Sequence, residues 1–284
     1  MSKQDKRLIL VTGANRGIGL CVVKKLLDHF PYENTILLMG CRDMEKGRNA
    51  LEKLASPPHV HLIELDMGSI ASIMKAVHYI KENYWNQIDI LINNAAILEQ
   101  PGTLERAREV FNTNYYGIKL LNEHLLPIMK DNGRIINVSS QIGPMILAQS
   151  SQVLQEKYTS KTLTDTELDQ LVDEFIVATM SNTFEELGYH VESLPALYGV
   201  SKLALNALTY IQARDWSTTK RLTIVSVSPG FCATDMTQNQ NTATARSPEL
   251  GADSIMNAIL ISPENIVNGG FYRDGQLLPF ISKS

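Results

Sequence analysis

Short apolar runs alternate with amphipathic stretches along the whole chain. Arg7-Leu-Ile-Leu-Val-Thr12 is apolar at consecutive positions, the pattern of a strand buried on both faces. From Gly17 to His29 the apolar residues Ile18, Val22, Val23, Leu26 and Leu27 fall at helical spacing. The same alternation predicts strands over 35–40, 59–65, 88–93, 134–139 and 222–227, with a seventh at 270–272. Helices are predicted from a cap at Asp43 to about Leu54, from a cap at Ser69 to Tyr84, and over 104–111, 114–129, 195–216 and 248–261. Each crossover helix must cover one apolar side of a sheet. The expected fold class is therefore α/β: a single-domain, Rossmann-type doubly wound parallel sheet with helices on both faces, spanning 1–284. Binding is expected outside the carboxyl ends of the strands.

One stretch breaks the rhythm. Between Ser140 and Tyr198 lie 57 residues, whereas such connections usually run about 2–6. Thr164-Asp-Thr-Glu167 reads as a capping box, and Leu168, Leu171, Val172 and Phe175 follow on one helical face. The segment at about 144–194 is thus a helical insertion. It reads as a wall or lid over the site, as a cover for an otherwise exposed helix face, or as both.

Composition narrows the function classes. Lys plus Arg number 26 and Asp plus Glu 30, a net charge of −4. That balance lacks the positive field of a general nucleic-acid binder. Hydrophobic residues make up 44% and charged residues 20%, a globular rather than a disordered mix. No apolar run reaches the roughly 18 residues of a membrane span. Three scattered cysteines form no disulfide framework, no secretory pattern opens the chain, and Ser282-Lys283-Ser284 misses the peroxisomal address, so a cytoplasmic location is expected. His59 and His61 alternate along one strand without an acidic or thiol partner, so no metal site is expected. The methionines, Trp85 and Trp216 read as packing residues.

Thr12-Gly-Ala-Asn-Arg-Gly-Ile-Gly19 lies between a strand and a helix. Gly13, Gly17 and Gly19 allow a tight turn and a close backbone approach to a pyrophosphate facing the helix N-terminus. A ligand-free turn and an S-adenosylmethionine site are the other readings of such a loop. The second strand ends in Cys41-Arg42 rather than in an acidic residue, and Arg16 sits in the loop. Two guanidinium groups converging there suit a 2′-phosphate, which favours NADP(H) over NAD(H). Asp43 is read as a helix cap only.

Tyr198 and Lys202 stand four residues apart, on one face of a helix. A nearby positive charge lowers a phenol's pKa, so such a tyrosine can pass a proton near neutral pH.

The glycine loop, Asp66, Asn93-Asn-Ala-Ala96, Asn114, Ser139-Ser140 with Gly143, Tyr198 to Lys202, and Pro229-Gly230 with Thr234 occur in the order of the short-chain dehydrogenase/reductase family, which the chain resembles over nearly its whole length. The long insertion resembles that of the monomeric carbonyl reductases, and plant menthone and salutaridine reductases carry a similar one. The resemblance implies catalytic roles for four residues. Ser140 would bond the substrate carbonyl, Tyr198 donate the proton, Lys202 hold the nicotinamide ribose and depress the tyrosine pKa, and Asn114 position a relay water. Gly13, Asn15, Arg16, Gly17, Ile18, Gly19, Arg42, Asp66, Met67, Asn93, Ala95, Pro229, Gly230 and Thr234 would bind the cofactor with Tyr198 and Lys202. Phe231 is read as a substrate wall or as plain core packing. Gln141, Ile142 and Met145 would place mixed polar and apolar groups near the carbonyl with Ser140 and Tyr198, consistent with a medium-sized apolar ketone. Two features depart from the family pattern. Ala96 replaces the usual glycine, and the insertion resembles one that covers the oligomer surface, which implies a monomer.

The expected activity is NADPH-dependent reduction of ketones, aldehydes or quinones. The alternatives are an NADP-dependent alcohol dehydrogenase for a steroid, retinoid or terpenoid, and a non-catalytic NADPH-sensing binding protein. The expected partner is a small-molecule carbonyl compound.

Overall fold

The computed structural model describes residues 6–84, 87–98, 103–191, 194–240 and 242–280. Trp85 and the last three residues, both considered above, lie outside them. Eight strands form one sheet: β1 (Arg7–Thr12), β2 (Thr35–Cys41), β3 (Val60–Glu64), β4 (Ile88–Asn93), β5 (Met129–Val138), β6 (Thr223–Val227), β7 (Phe271–Arg273) and β8 (Gln276–Leu278), in the order β3-β2-β1-β4-β5-β6-β7-β8. All neighbours pair parallel except β7 and β8.

Alternate strand residues feed two cores, as a parallel sheet covered on both sides requires. Leu8, Leu10, Ile36 and Leu38 face α3 (Ile70–Asn83), α4 (Leu104–Phe111), α5 (Gly117–Leu125) and α9 (Ala196–Trp216). Ile9, Val11, Leu37 and Met39 face α1 (Gly17–His29), α2 (Met44–Lys53) and α10 (Pro248–Leu260). The order reverses between β1 and β4, so their carboxyl ends open a crevice at the switch point.

The expected elements form, with three differences. The eighth strand follows a hairpin turn at Asp274-Gly275, whose φ values of 51° and 79° suit the tight antiparallel return. The helix expected over 114–129 starts only at Gly117, after a wide turn at Asn112–Tyr116, and ends at Leu125. Strand β5 begins five residues early, at Met129, through a register shift opposite Ile88 and Ile90.

The insertion holds α6 (Ile142–Gln149), α7 (Gln152–Thr159) and α8 (Asp165–Ser181). The capping box is present: Thr164 Oγ1 accepts from the Glu167 amide at 3.3 Å, and Glu167 Oε2 accepts from the Thr164 amide at 2.8 Å. Helix α8 buries Leu168, Leu171, Val172 and Phe175, and the Phe175 ring meets Phe111 of α4 at 5.9 Å. Polar latches flank this seam. Tyr115 and Lys119 donate to Asp169 at 2.7 and 2.6 Å, and Tyr116 donates to Asp173 at 2.7 Å. Of the two roles weighed for the insertion, α8 takes that of the cover. The three cysteines are free and buried.

Candidate active site

The cleft begins at the loop between β1 and α1. Gly13 and Gly17 adopt φ values of +63° and +53°, the region in which only glycine is unstrained. A Cβ on Gly19 would fall 2.3 Å from the Gly13 carbonyl oxygen, so the turn closes only with glycine there. Helix α1 has no side-chain cap at Arg16. Its first amides therefore face the cleft with the positive end of the helix dipole behind them. This donor set fits a phosphate-bearing ligand. Gly13, Asn15, Arg16, Gly17, Ile18 and Gly19 all line the cleft.

Across from the loop lie Arg42, Asp66 and Met67. Asp66 Oδ1 accepts from the Gly68 amide at 3.0 Å, which fixes the turn after β3. Asp43 is indeed a cap, accepting from the Glu45 and Lys46 amides at 3.1 Å each. The convergence expected of Arg16 and Arg42 takes a different form. Arg16 Nη1 reaches across the cleft mouth to Asp235 at 3.0 Å, while Arg42 is exposed on the opposite wall. Lys46, one turn into α2, lines the same wall and was missed. Its signal was a cation in the first turn after the strand end.

Asn93 does not line the cleft. Its amide turns into the core and donates to Asn122 at 2.7 Å and Asn137 at 2.8 Å. It faces that way because strand side chains alternate and Leu91, two residues back, faces the same core. Asn94 takes the position on the cleft, held by Thr12, with Ala95 and Ala96 beside it. The methyl of Ala96 is thus accommodated at the wall.

At the other end, Asn114 is fully buried in the wide turn before α5. Its amide accepts from the Ile97 backbone at 2.9 Å and donates to the Ile97 carbonyl at 3.0 Å and to Ser201 Oγ at 3.1 Å. It clamps the loop after β4 to α9. Ser139 is buried and donates to the Lys202 carbonyl at 3.2 Å. Ser140 is partly buried, its Oγ accepts from the Ile142 amide at 3.3 Å, and its hydroxyl opposes the rise in the Tyr198 pKa.

Lys202 is buried, and its Nζ donates to the Val138 carbonyl at 2.8 Å. Burial pushes its pKa down to about 7. Tyr198 moves the other way, up to about 12, chiefly through burial and against the opposing bond from Ser140. Burial of the phenol outweighs the lowering expected of Lys202. A desolvated ammonium is itself disfavoured, and Nζ lies 5.7 Å from the ring centroid.

Helix packing sets the spacing of these groups. A Cβ on Gly143 would stand 2.7 Å from the Leu203 amide nitrogen, and one on Gly199 2.2 Å from Ile146 Cδ1. The two glycines let α6 and α9 cross closely, which holds Ser140 against Tyr198.

Pro229 and Thr234 line the cleft. Gly230, at φ +78°, is instead flanked by the side chains of Arg246 and Arg273. Phe231 is 40% exposed, so it is not plain core packing. Gln141 is partly buried and accepts from Arg273 Nη1, while Ile142 leans on Gly199. Among the described residues no cluster of three metal-ligating side chains exists.

The short chain dehydrogenase family model matches residues 7–160 of this sequence. The chain belongs to that family. Carbonyl reductase (NADPH) 1 of Sus scrofa is 31% identical over 285 residues, covering 96% of this chain and 94% of that protein. Carbonyl reductase (NADPH) 3 of Rattus norvegicus is 32% identical over 268 residues, covering 91% and 92%. Among solved structures, salutaridine reductase from Papaver somniferum superposes with a TM-score of 0.79 at 28% identity, covering 94% of this chain and 99% of that one. One cleft of this short chain dehydrogenase is lined by the glycine loop and by Ser139, Tyr198 and Lys202.

Proposed function

We propose that this chain is an NADPH-dependent carbonyl reductase in which Tyr198 supplies the proton. The oxidoreductase class and the NADP(H) cofactor follow from the family and from relatives named as NADPH carbonyl reductases. The observation that carries the rest is that Tyr198 and Lys202 line the cleft that the capless helix α1 opens, with Ser140 close enough to act on the phenol.

Bound reduced nicotinamide supplies the hydride. The protein's residues do the remainder. The α1 amides hold the pyrophosphate, and Arg42 with Lys46 supplies charge for a 2′-phosphate. Ser140 Oγ orients the carbonyl oxygen, and Tyr198 delivers a proton to the oxygen as negative charge grows there. A phenol with a raised pKa stays protonated and ready to donate. Lys202, which donates to the Val138 carbonyl, would hold the nicotinamide ribose, and Asn114 fixes α9 through Ser201. The substrate side is bounded by Gln141, Ile142 and the exposed Phe231.

Loss of reduced-nicotinamide absorbance against quinones, α-dicarbonyls, aromatic aldehydes and cyclic ketones tests this reading. Turnover with NADPH that collapses in Tyr198→Phe supports it. Tight NADPH binding with no turnover overturns it in favour of a sensor. We also propose a single-domain cytoplasmic monomer, since α8 covers α4 and no helix among the described residues is long and apolar enough to cross a membrane. A dimer mass by light scattering would refute the monomer.

A further inference from the structure

The carboxyl end of β7 brings a guanidinium group to the sheet edge from which Ser140 and Gln141 leave β5. Arg273 Nη1 donates to Gln141 Oε1 at 2.5 Å, one residue beyond Ser140. Arg273 Nη2 lies 3.2 Å from the point where a Cβ on Gly230 would stand, and Arg246 Nη1 lies 3.0 Å from the same point. Two guanidinium groups thus flank the turn before Phe231.

Their charges are not matched. Arg246 donates through both terminal nitrogens to Asp274, at 3.0 and 2.8 Å, and also to the Pro229 carbonyl at 3.2 Å. Arg273 Nε approaches that carboxylate only at 3.4 Å. Two cations share one anion, so one positive charge stays uncompensated within the cluster. Among the described residues Arg273 Nη2 has no hydrogen-bond partner. A guanidinium only donates, so Gln141 must offer it the amide oxygen, and the amide nitrogen of Gln141 takes the other end. The polar atoms left beside Ser140 are therefore donors: Gln141 Nε2 and Arg273 Nη2.

We propose that Arg273 determines specificity here. Its guanidinium, with the Gln141 amide, receives a carboxylate carried by the carbonyl substrate, so oxo acids and carboxylate-bearing aldehydes or ketones are the preferred class. The fork geometry of arginine suits a carboxylate in a way that a lone ammonium does not. This inference rests on the reductase reading above.

The test compares 4-carboxybenzaldehyde with methyl 4-formylbenzoate, using NADPH and the full chain, in wild type and in Arg273→Met and Gln141→Leu. The readout is the ratio of kcat/KM for acid over ester, which a general loss of fold or chemistry does not move. The wild type should favour the acid by about tenfold, mainly through KM, and Arg273→Met should bring the ratio near unity. Gln141→Leu should lower it partway, and it serves if Arg273→Met does not fold. A wild type without preference, or variants with an unchanged ratio, overturns the proposal. A wild type that reduces neither aldehyde counts against the reductase reading, and calorimetry of the NADPH-loaded protein with benzoate and benzamide then decides the carboxylate site separately. Benzoate binding that both variants weaken supports it. Equal binding of the two ligands, or no binding of benzoate, refutes it.

Discussion

Lys202 Nζ donates to the Val138 carbonyl at 2.8 Å and lies 5.7 Å from the centre of the Tyr198 ring. The lysine is held by β5 from below and looks up at the reacting phenol. Its pKa falls from the ordinary 10.5 to about 7 because burial strips the ammonium of water. Between those two values the unfolded chain binds more protons than the folded one. Stability of the free protein therefore rises with pH across that window, and the gain is lost as pH falls towards 7. We expect thermal melts of wild type to improve from pH 7 to pH 9 by on the order of a few kcal/mol, and those of Lys202→Met to stay flat. A variant that keeps the wild-type slope would assign it to another group.

The serine pair separates chemistry from packing. The Ser140 hydroxyl acts on the Tyr198 phenol, whereas Ser139, at the cleft wall, donates to the Lys202 carbonyl. Ser140→Ala should lower kcat by about a hundredfold with NADPH affinity retained. Tyr198→Phe should lower it by about a thousandfold. Ser139→Ala should cost about 1 kcal/mol of stability and little rate. Steady-state kinetics and urea melts of the three variants check this, and a larger rate loss in Ser139→Ala would reverse the assignment.

The parts of the fold that sequence periodicity encodes were legible from it. Strands β1 and β2 are apolar at nearly every position because both faces are covered, and the capping box of α8 announces itself in four residues. The strand β8 was missed although Asp274-Gly275 is a hairpin signal, because three residues are too few to show alternation. The cleft was less legible than the fold. Asn93 and Asn94 look alike in sequence, and only the strand's alternation sends one to the core and the other to the cleft. The sign of the Tyr198 shift was also hidden. It depends on how deeply the phenol itself is buried, which no spacing of tyrosine and lysine reveals.

On the proposed reading cofactor choice rests on Arg42 and Lys46, which line the cleft, since Arg16 is engaged with Asp235 at 3.0 Å. Both partners of that bridge are largely exposed, so breaking it should change stability by no more than about 1 kcal/mol. Arg42→Ala should raise the KM for NADPH about tenfold and leave that for NADH nearly unchanged. Asp235→Asn frees the Arg16 guanidinium and should lower the KM for NADPH. Parallel titrations of both cofactors decide the matter, and equal effects on NADPH and NADH would remove the 2′-phosphate from the account.

The crossing of α6 and α9 offers the sharpest structural test, because two glycines carry it. An added methyl at position 199 would stand 2.2 Å from Ile146 Cδ1 and 2.7 Å from Ile142 Cγ2. Gly199→Ala must therefore push α6 away from α9, at a cost of about 1–3 kcal/mol. Ser140 sits just before α6 and Tyr198 in the first turn of α9, so the same displacement should move the two residues apart and lower kcat. Ile146→Val removes the nearer of the two clashing atoms. It should recover part of both losses in the Gly199→Ala background while costing about 1 kcal/mol on its own. At position 143 the obstacle is the Leu203 backbone nitrogen, 2.7 Å away, which no side-chain trimming relieves. Gly143→Ala should accordingly be as damaging and not rescued by Ile146→Val. Melting curves and kcat for the single and double variants check both halves, and additive losses in Gly199→Ala with Ile146→Val would show that the helices do not meet where the two glycines place them.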